Sequence, residues 1–143
     1  MIIVDSREKK NSHILDYFVR VGEQYEVRAL STGDYMDSSR PSLTIDRKQD
    51  LQELAGNICT KDHRFWREAK RSYNEGLHLI VLIEQGQFRN VQDVKSWKSK
   101  YSKVTGRRLY DEMFKLYTAY QVEFLFCDKS ETGKRILELL RDG

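Results

Sequence analysis

The stretch Ser31-Thr-Gly-Asp34-Tyr-Met-Asp-Ser-Ser-Arg-Pro-Ser-Leu-Thr-Ile-Asp46-Arg-Lys48 decides how this chain is read. It has the composition of two short strands joined by a polar turn. Tyr35 and Met36 belong to the first strand, and Leu43, Thr44 and Ile45 to the second, because β-branched and aromatic side chains suit a pleated surface. Between them, Asp37-Ser-Ser-Arg-Pro-Ser is turn chemistry, with Pro41 pre-setting its backbone angle. A hairpin centred near Arg40 makes Asp34 and Asp46 cross-strand neighbours, their Cβ atoms ~5 Å apart. Strand period two then places Asp46 and Lys48 on one face and Arg47 on the other. Two carboxylates at that separation repel, and one is driven toward protonation unless a cation sits between them. A hard divalent ion such as Mg²⁺ or Mn²⁺ suits carboxylate oxygens and keeps several waters. A lysine beside such a water can position it, which is the equipment of metal-assisted phosphodiester hydrolysis.

Taken alone, an acidic residue two positions before a lysine is a weak signal. It recurs at Glu8/Lys10, Glu68/Lys70 and Asp93/Lys95, where a solvated surface pair is the plain reading. Asp46/Lys48 is set apart by its partner Gly33-Asp34 and by the surrounding pattern. Val4-Asp5-Ser-Arg7-Glu8, then Gly33-Asp34-Tyr35, then Ile45-Asp46-Arg47-Lys48 resembles the nuclease domain of the XPF/Mus/Hef endonucleases. That family's signature is G-D, a variable gap, E-R-K, three residues, then D. His63-Arg64-Phe65-Trp66-Arg67-Glu68 resembles its R-F-x-x-E helix, and Leu79-Ile-Val-Leu-Ile-Glu84-Gln-Gly86 its following buried strand. Order and spacing agree over residues 1 to about 86 and more loosely beyond.

The resemblance implies a restriction-endonuclease-like α/β fold of the PD-(D/E)xK superfamily. It implies branched, forked or flapped DNA as substrate, in repair or recombination. It implies Asp34 and Asp46 as ligands of Mg²⁺ or Mn²⁺, with Asp5 completing the acidic cluster and the Arg47 carbonyl as a further ligand. Lys48 would orient the attacking water, Arg7 and Arg47 would steady the scissile phosphate or the carboxylates, and Glu8 would join the pocket. Two departures stand out. Asp46 occupies the family's usual Glu position, a conservative change. The final Asp of the signature falls on Gln52, while Asp50 lies two positions earlier. The second departure motivates an alternative: a nuclease-like module that binds DNA junctions without cutting them.

Composition sets bounds on these readings. With 143 residues the chain reads as one domain, 1–143. A mean hydropathy of -0.69 describes a soluble protein, and there is no apolar run near the ~20 residues a membrane span needs. Met1-Ile-Ile-Val starts a strand directly, so the sequence predicts no signal peptide. The expected location is cytoplasmic, nucleoid-associated in a bacterium or in the host cytoplasm if phage-encoded. Cys59 and Cys127 lack metal spacing and read as thiols in a reducing compartment. The net charge of +3 is too small to argue for nucleic acid, so the distribution of charge must carry that case.

Two segments supply it. Residues 61–74 read as a helix whose Phe65, Ala69 and Tyr73 mark an inner face, while Arg64, Arg67, Lys70 and Arg71 load the remainder. Arg64 and Arg67, in the segment matching the family, are the candidate phosphate contacts there. Between Val94 and Leu109 come Lys95, Lys98, Lys100, Lys103, Arg107 and Arg108 without an acidic residue, interleaved with Trp97 and Tyr101. Basic side chains neutralise phosphates, and exposed aromatics stack on unpaired bases. The plain alternative is a lysine-rich surface segment whose Trp97 is buried.

Elsewhere the chain alternates strands and helices. Strands are expected at residues 2–4, 25–30, 77–83 and 122–127, and helices at 12–21, 50–58, 110–120 and near the end. The pattern predicts a mixed central sheet with helices on both faces. In the resembled family, helices near the end form a dimer interface, and many members carry a helix-hairpin-helix domain for which no sequence remains here. Selectivity for branched DNA would then come from this domain, a homodimer or a separate DNA-binding partner. A Toprim-like phosphotransfer domain would want D-x-D after a strand, and Asp5-Ser-Arg7 is not one.

Overall fold

The computed structural model describes residues 1–142. Its centre is a six-stranded sheet of order β2-β1-β3-β4-β5-β6, with β1 Ile2–Asp5, β2 Tyr25–Arg28, β3 Tyr35–Asp37, β4 Leu43–Lys48, β5 His78–Ile83 and β6 Glu123–Phe126. The helices are α1 Ser12–Arg20, α2 Leu51–Ile58, α3 Arg64–Asn74, α4 Gly106–Tyr120 and α5 Thr132–Asp142, with a short 3-10 helix at Val91–Ser96. β1 runs parallel to β2, and β4, β5 and β6 are mutually parallel. β3 is antiparallel to both of its neighbours. The mixed sheet expected from the sequence is what the chain forms.

Chirality assigns the layers. β1 and β4 point the same way, since each is antiparallel to β3. From β1 the chain steps outward one way to β2; from β4 it steps the other way to β5 and β6. Parallel crossovers are right-handed, so the two series of helices must leave on opposite faces. Accordingly α2, α3 and α4 cover Leu79, Val81 and Ile83 on one face. On the other face α1 and α5 cover Ile2, Val4, Tyr35, Leu43, Ile45, Ile80 and Leu82. β5 is therefore buried on both sides, which explains its unbroken apolar run. The crevice between the two series opens at the carboxyl ends of β1 and β4, the place where open α/β sheets carry their sites.

The hairpin has the expected register. Tyr35 pairs with Ile45 and Met36 with Thr44, which sets Asp34 opposite Asp46 at the end of the ladder. Two helix starts lack a side-chain cap. Ser12 is the first residue of α1, and no side chain caps that helix. Asp128 makes no side-chain cap either, since the Glu131 N–H bonds to its backbone carbonyl.

The side chain of Arg47 ties these parts together from behind. It points to the α1/α5 face, opposite Asp46 and Lys48. Its guanidinium donates to both oxygens of Glu8, at 2.8 and 3.1 Å, to the Lys9 carbonyl at 2.6 Å, and to Glu84 Oε1. Glu84 Oε2 in turn accepts from the Thr132 hydroxyl at 2.5 Å and lies 2.6 Å from His13 Nε2. Burial pushes the Glu84 carboxyl up, but the bonds from Thr132, His13 and Arg47 outweigh it and hold the group below its usual value. One network thus joins β4, β5, α1, α5 and the β1–α1 loop. Side-chain exposure is 2% for both Arg47 and Glu84. Removing one partner of such a pair leaves a buried charge uncompensated. Arg47→Ala should therefore lower the unfolding free energy by about 3–5 kcal/mol, measured by urea denaturation. A loss below ~1 kcal/mol would show that solvent reaches the network.

Candidate active site

Each acidic residue reaches the crevice by a local rule. Asp5 ends β1, and its N–H donates to the Asp34 carbonyl at 2.8 Å. Asp34 precedes β3 and is aimed by Gly33, whose φ of +75° lies in the left-handed region. A Cβ at Gly33 would collide with Thr44 Oγ1, so the tight approach of this loop to β4 also demands glycine. Asp34 Oδ2 accepts the Arg47 backbone N–H at 2.8 Å. Asp46 lies on the crevice face of β4, and Lys48 Nζ is 3.1 Å from its Oδ1. That contact lacks hydrogen-bond alignment, and Asp46 Oδ1 is a buried oxygen with no hydrogen bond.

The resulting cleft, about 370 Å³, is lined by Asp5, Arg7, Ser31, Gly33, Asp34, Asp46, Arg64, Arg67, Glu68 and Arg71. It brings together six of the candidate site residues, Asp5, Arg7, Asp34, Asp46, Arg64 and Arg67, and adds Glu68 and Arg71, which the sequence marked only as part of the basic helix. Glu68 accepts the Gly33 N–H at 3.1 Å, and Arg71 donates to the Ser31 carbonyl at 2.8 Å and to Thr32 Oγ1 at 3.2 Å. Both lie on α3, which clamps the loop before β3. The available signal was helical spacing: Arg64, Arg67, Glu68 and Arg71 recur at intervals of three and four, on one helix face.

The carboxylates sit uneasily as ions. Burial is the main cause that raises Asp34 well above the ordinary carboxylate range, with repulsion from Asp46 and Glu8 adding to it. Asp46 is raised to about 6, first by burial and further by Glu68, against the pull of Lys48. Burial lowers Lys48, but the combined pull of Asp46, Glu53 and Asp34 outweighs it and raises the group. Two adjacent perturbed carboxyls in a cleft make this the candidate functional site. A buried carboxylate oxygen that meets only the Lys48 ammonium, beside a second carboxylate, is a donor set that fits a hard cation whose remaining positions are water. Among the described residues, no group of three or more His, Cys, Asp or Glu side chains is arranged to hold a metal.

Several expected roles change in place. Asp5 lines the cleft, yet Oδ2 accepts from Arg7 Nε at 3.0 Å, and Oδ1 accepts from Arg7 Nη2 and the Leu30 N–H. Its oxygens are engaged in holding Arg7 rather than open to a cation. The side chains of Arg47 and Glu8 face away from the cleft in their mutual ion pair, and Glu8 also accepts from the Tyr35 hydroxyl. Asp50 caps α2 by accepting the Glu53 N–H at 2.8 Å.

In the basic segment, Trp97 is 8% exposed within the α2/α3/α4 core. It is no stacking platform, because it supports the segment from below. Tyr101 is 84% exposed. Lys98, Lys100, Lys103 and Arg107 are exposed as expected. Lys95 is also exposed, with its ammonium 4.4 Å from the centre of the Tyr110 ring. Arg108 donates to the Cys59 carbonyl at 3.3 Å.

The sign of the pH dependence follows from these shifts. A carboxyl raised in the folded state contributes stability when protonated, and that contribution is lost as pH rises through the raised value. Glu84 is lowered, so its contribution is lost only in acid, below its ordinary range. The metal-free protein should therefore lose stability as pH rises from the ordinary carboxylate range up through about 6, the value to which Asp46 is raised, with Asp34 acting in the same direction. Asp34→Asn, which can still accept the Arg47 N–H, should flatten that decline. Urea midpoints measured in chelator across that range are the check.

Comparison with known proteins places this geometry. The model of the ERCC4 domain matches residues 4–140. The structure of XPF from Aeropyrum pernix superposes with a TM-score of 0.74 at 23% identity, covering 98% of this chain and 63% of that one. XPF from Aeropyrum pernix in complex with DNA gives 0.73 at 23% identity, covering 98% and 62%. The chain thus spans less than two thirds of the length of either structure. A comparison with curated proteins finds no match. The fold agrees with these structures, and the family model runs from the end of β1 into α5; the chain belongs to the ERCC4 domain family.

Proposed function

We propose that this chain is a divalent-metal-dependent endonuclease acting on branched, forked or flapped DNA. The observation that carries the proposal is the pair Asp34 and Asp46, both raised by burial, with Asp46 Oδ1 meeting only the Lys48 ammonium. Membership of the ERCC4 domain family supports it, as does the complex of the similar Aeropyrum pernix XPF with DNA.

Asp34 and Asp46 would hold the cation, Mg²⁺ or Mn²⁺, which when bound supplies Lewis acidity at a phosphoryl oxygen and a more acidic water. The Arg47 N–H keeps Asp34 oriented toward it. Lys48 holds the water against Asp46 and opposes negative charge that builds on the phosphate. Asp5 fixes Arg7 at the mouth, where with Arg64, Arg67 and Arg71 it meets phosphates on either side of the bond to be cut. The four arginines also confine the backbone, which fits a polyanion rather than a small neutral substrate. Phe114 and Tyr117, 52% and 58% exposed beside Val122 and Phe124, offer an apolar face for a second copy or a DNA-binding partner.

A binding module without catalysis is the second reading. It is favoured by Gln52, whose amide oxygen accepts from Ser99 and Lys100 and offers no carboxylate at that position.

Incubation with fork, flap and duplex DNA in Mg²⁺ or Mn²⁺ separates the two. Cutting confined to branched substrates is expected, with Lys48→Ala lowering the rate on the order of 100-fold or more. Cutting by Lys48→Ala at the full rate would refute the assignment, and junction binding with no cutting in either ion selects the second reading. Independently of activity, saturating Mn²⁺ should raise the melting temperature of the wild-type protein and leave Asp34→Asn unmoved. Binding should weaken by roughly 1000-fold between 50 and 200 mM salt if about six phosphates are neutralised.

A further inference from the structure

The loop between Lys98 and Thr105 is built more firmly than its composition requires. An isolated antiparallel bridge, Lys98 to Thr105, closes its base. Inside it, Ser99 Oγ accepts the N–H groups of Tyr101 and Ser102, at 3.3 and 3.1 Å, and pairs with Ser102 Oγ at 2.9 Å. The loop is then fastened to α2. Gln52 Oε1 accepts both the Ser99 hydroxyl at 3.0 Å and the Lys100 N–H at 3.2 Å. At its far end the chain enters α4 through Gly106, where any Cβ would collide with the carbonyl oxygens of Val94, Lys95 and Trp97. The outcome is a braced loop presenting Tyr101 to solvent between Lys100 and Lys103. A large aromatic held outward in this way forgoes burial, and lysines on both sides suit a phosphate backbone crossing its face.

The tether also fixes where this surface stands. Gln52 lies four residues beyond Lys48, and four residues span at most ~14 Å of chain. Phosphates of one strand recur every ~3.4 Å along a duplex, so the anchor lies within about four nucleotides of Lys48.

We propose that this loop reads an unpaired nucleotide near the scissile bond. Tyr101 stacks on the base, and Gln52 is the positioning residue that holds the loop in register with the site. The inference rests on the DNA-cleavage reading above and assigns that site's preference for branched substrates to two residues. A continuous duplex keeps its bases stacked on each other and offers Tyr101 no free face.

The test uses the full chain without divalent metal, so that binding is read apart from cutting. The probes are a fork carrying 2-aminopurine in its unpaired arm near the branch and a duplex of equal length. The wild-type protein should favour the fork and quench the probe. Tyr101→Ala should weaken fork binding by roughly 5- to 100-fold with duplex binding unchanged, while Tyr101→Phe keeps both. Gln52→Leu should lose the quench and the fork-to-duplex preference although Tyr101 is intact. Gln52→Glu, which still offers an acceptor, should keep the preference even if added charge weakens both substrates. Ser99→Ala, a milder change on the other side of the same bond, should reduce the quench.

A full quench and preference in both Gln52→Leu and Ser99→Ala would overturn the positioning role. Equal wild-type affinity for fork and duplex, without quench, would overturn the inference and leave the nuclease reading standing. Binding to neither DNA would sink both.

Discussion

A single arginine, buried between two glutamates, is the constraint on which this architecture turns. Arg47 donates its backbone N–H to Asp34 on one side of β4 and sends its guanidinium to Glu8 and Glu84 on the other. Burying such a group is costly unless its donors are met by charge and by good geometry. Here the bidentate contact with Glu8 and the Lys9 carbonyl satisfies one edge of the guanidinium, while Glu84 takes the other. Glu84 is itself held by Thr132 and His13. The network fixes the twist and level of β4 against α1 and α5, and the crevice face of that strand carries Asp46 and Lys48.

The crevice is an electrostatic compromise. Asp34 and Asp46 are both pushed toward their neutral forms, first by burial and then by neighbouring negative charge. Around them Arg7, Arg64, Arg67 and Arg71 line the cleft, yet Lys48 is the cation held 3.1 Å from Asp46. Positive charge is thus concentrated around the cleft and is sparse at its floor. A cation and a polyanion would relieve opposite halves of this separation. Fold topology puts it there: helices depart to opposite faces on either side of β3, and α3 forms one wall of the gap between them.

The basic segment follows a different logic. Its hydrophobic member, Trp97, is drawn into the core beside Val94 and Leu109 and becomes the floor of the loop. Its amphipathic member, Tyr101, is left outside. Gln52, a departure from the resembled family's signature, sits where α2 can grip the loop. A position that in the resembled pattern carries charge serves here as a joint between α2 and the basic loop.

Local chemistry made much of this legible in the chain itself. The hairpin register was readable because turn residues and strand period leave few ways to pair residues 35–37 with 43–48, and that register alone sets Asp34 against Asp46. The burial of β5 was readable from its unbroken apolar run, and the mixed sheet from alternating patterns. An ion pair between Asp5 and Arg7 was readable from their spacing, but the Leu30 N–H on the same carboxylate was not, because Leu30 arrives from a different strand connection. Nor could the sequence show that the side chain of Arg47 would serve the rear of the sheet, since its partners lie 39 and 37 residues away. Glu68, Arg71 and Gln52 acquire their roles only when α2 and α3 pack over the loops they hold. Spacing along a chain reports which side chains share a face; only the packing of distant elements decides what that face meets.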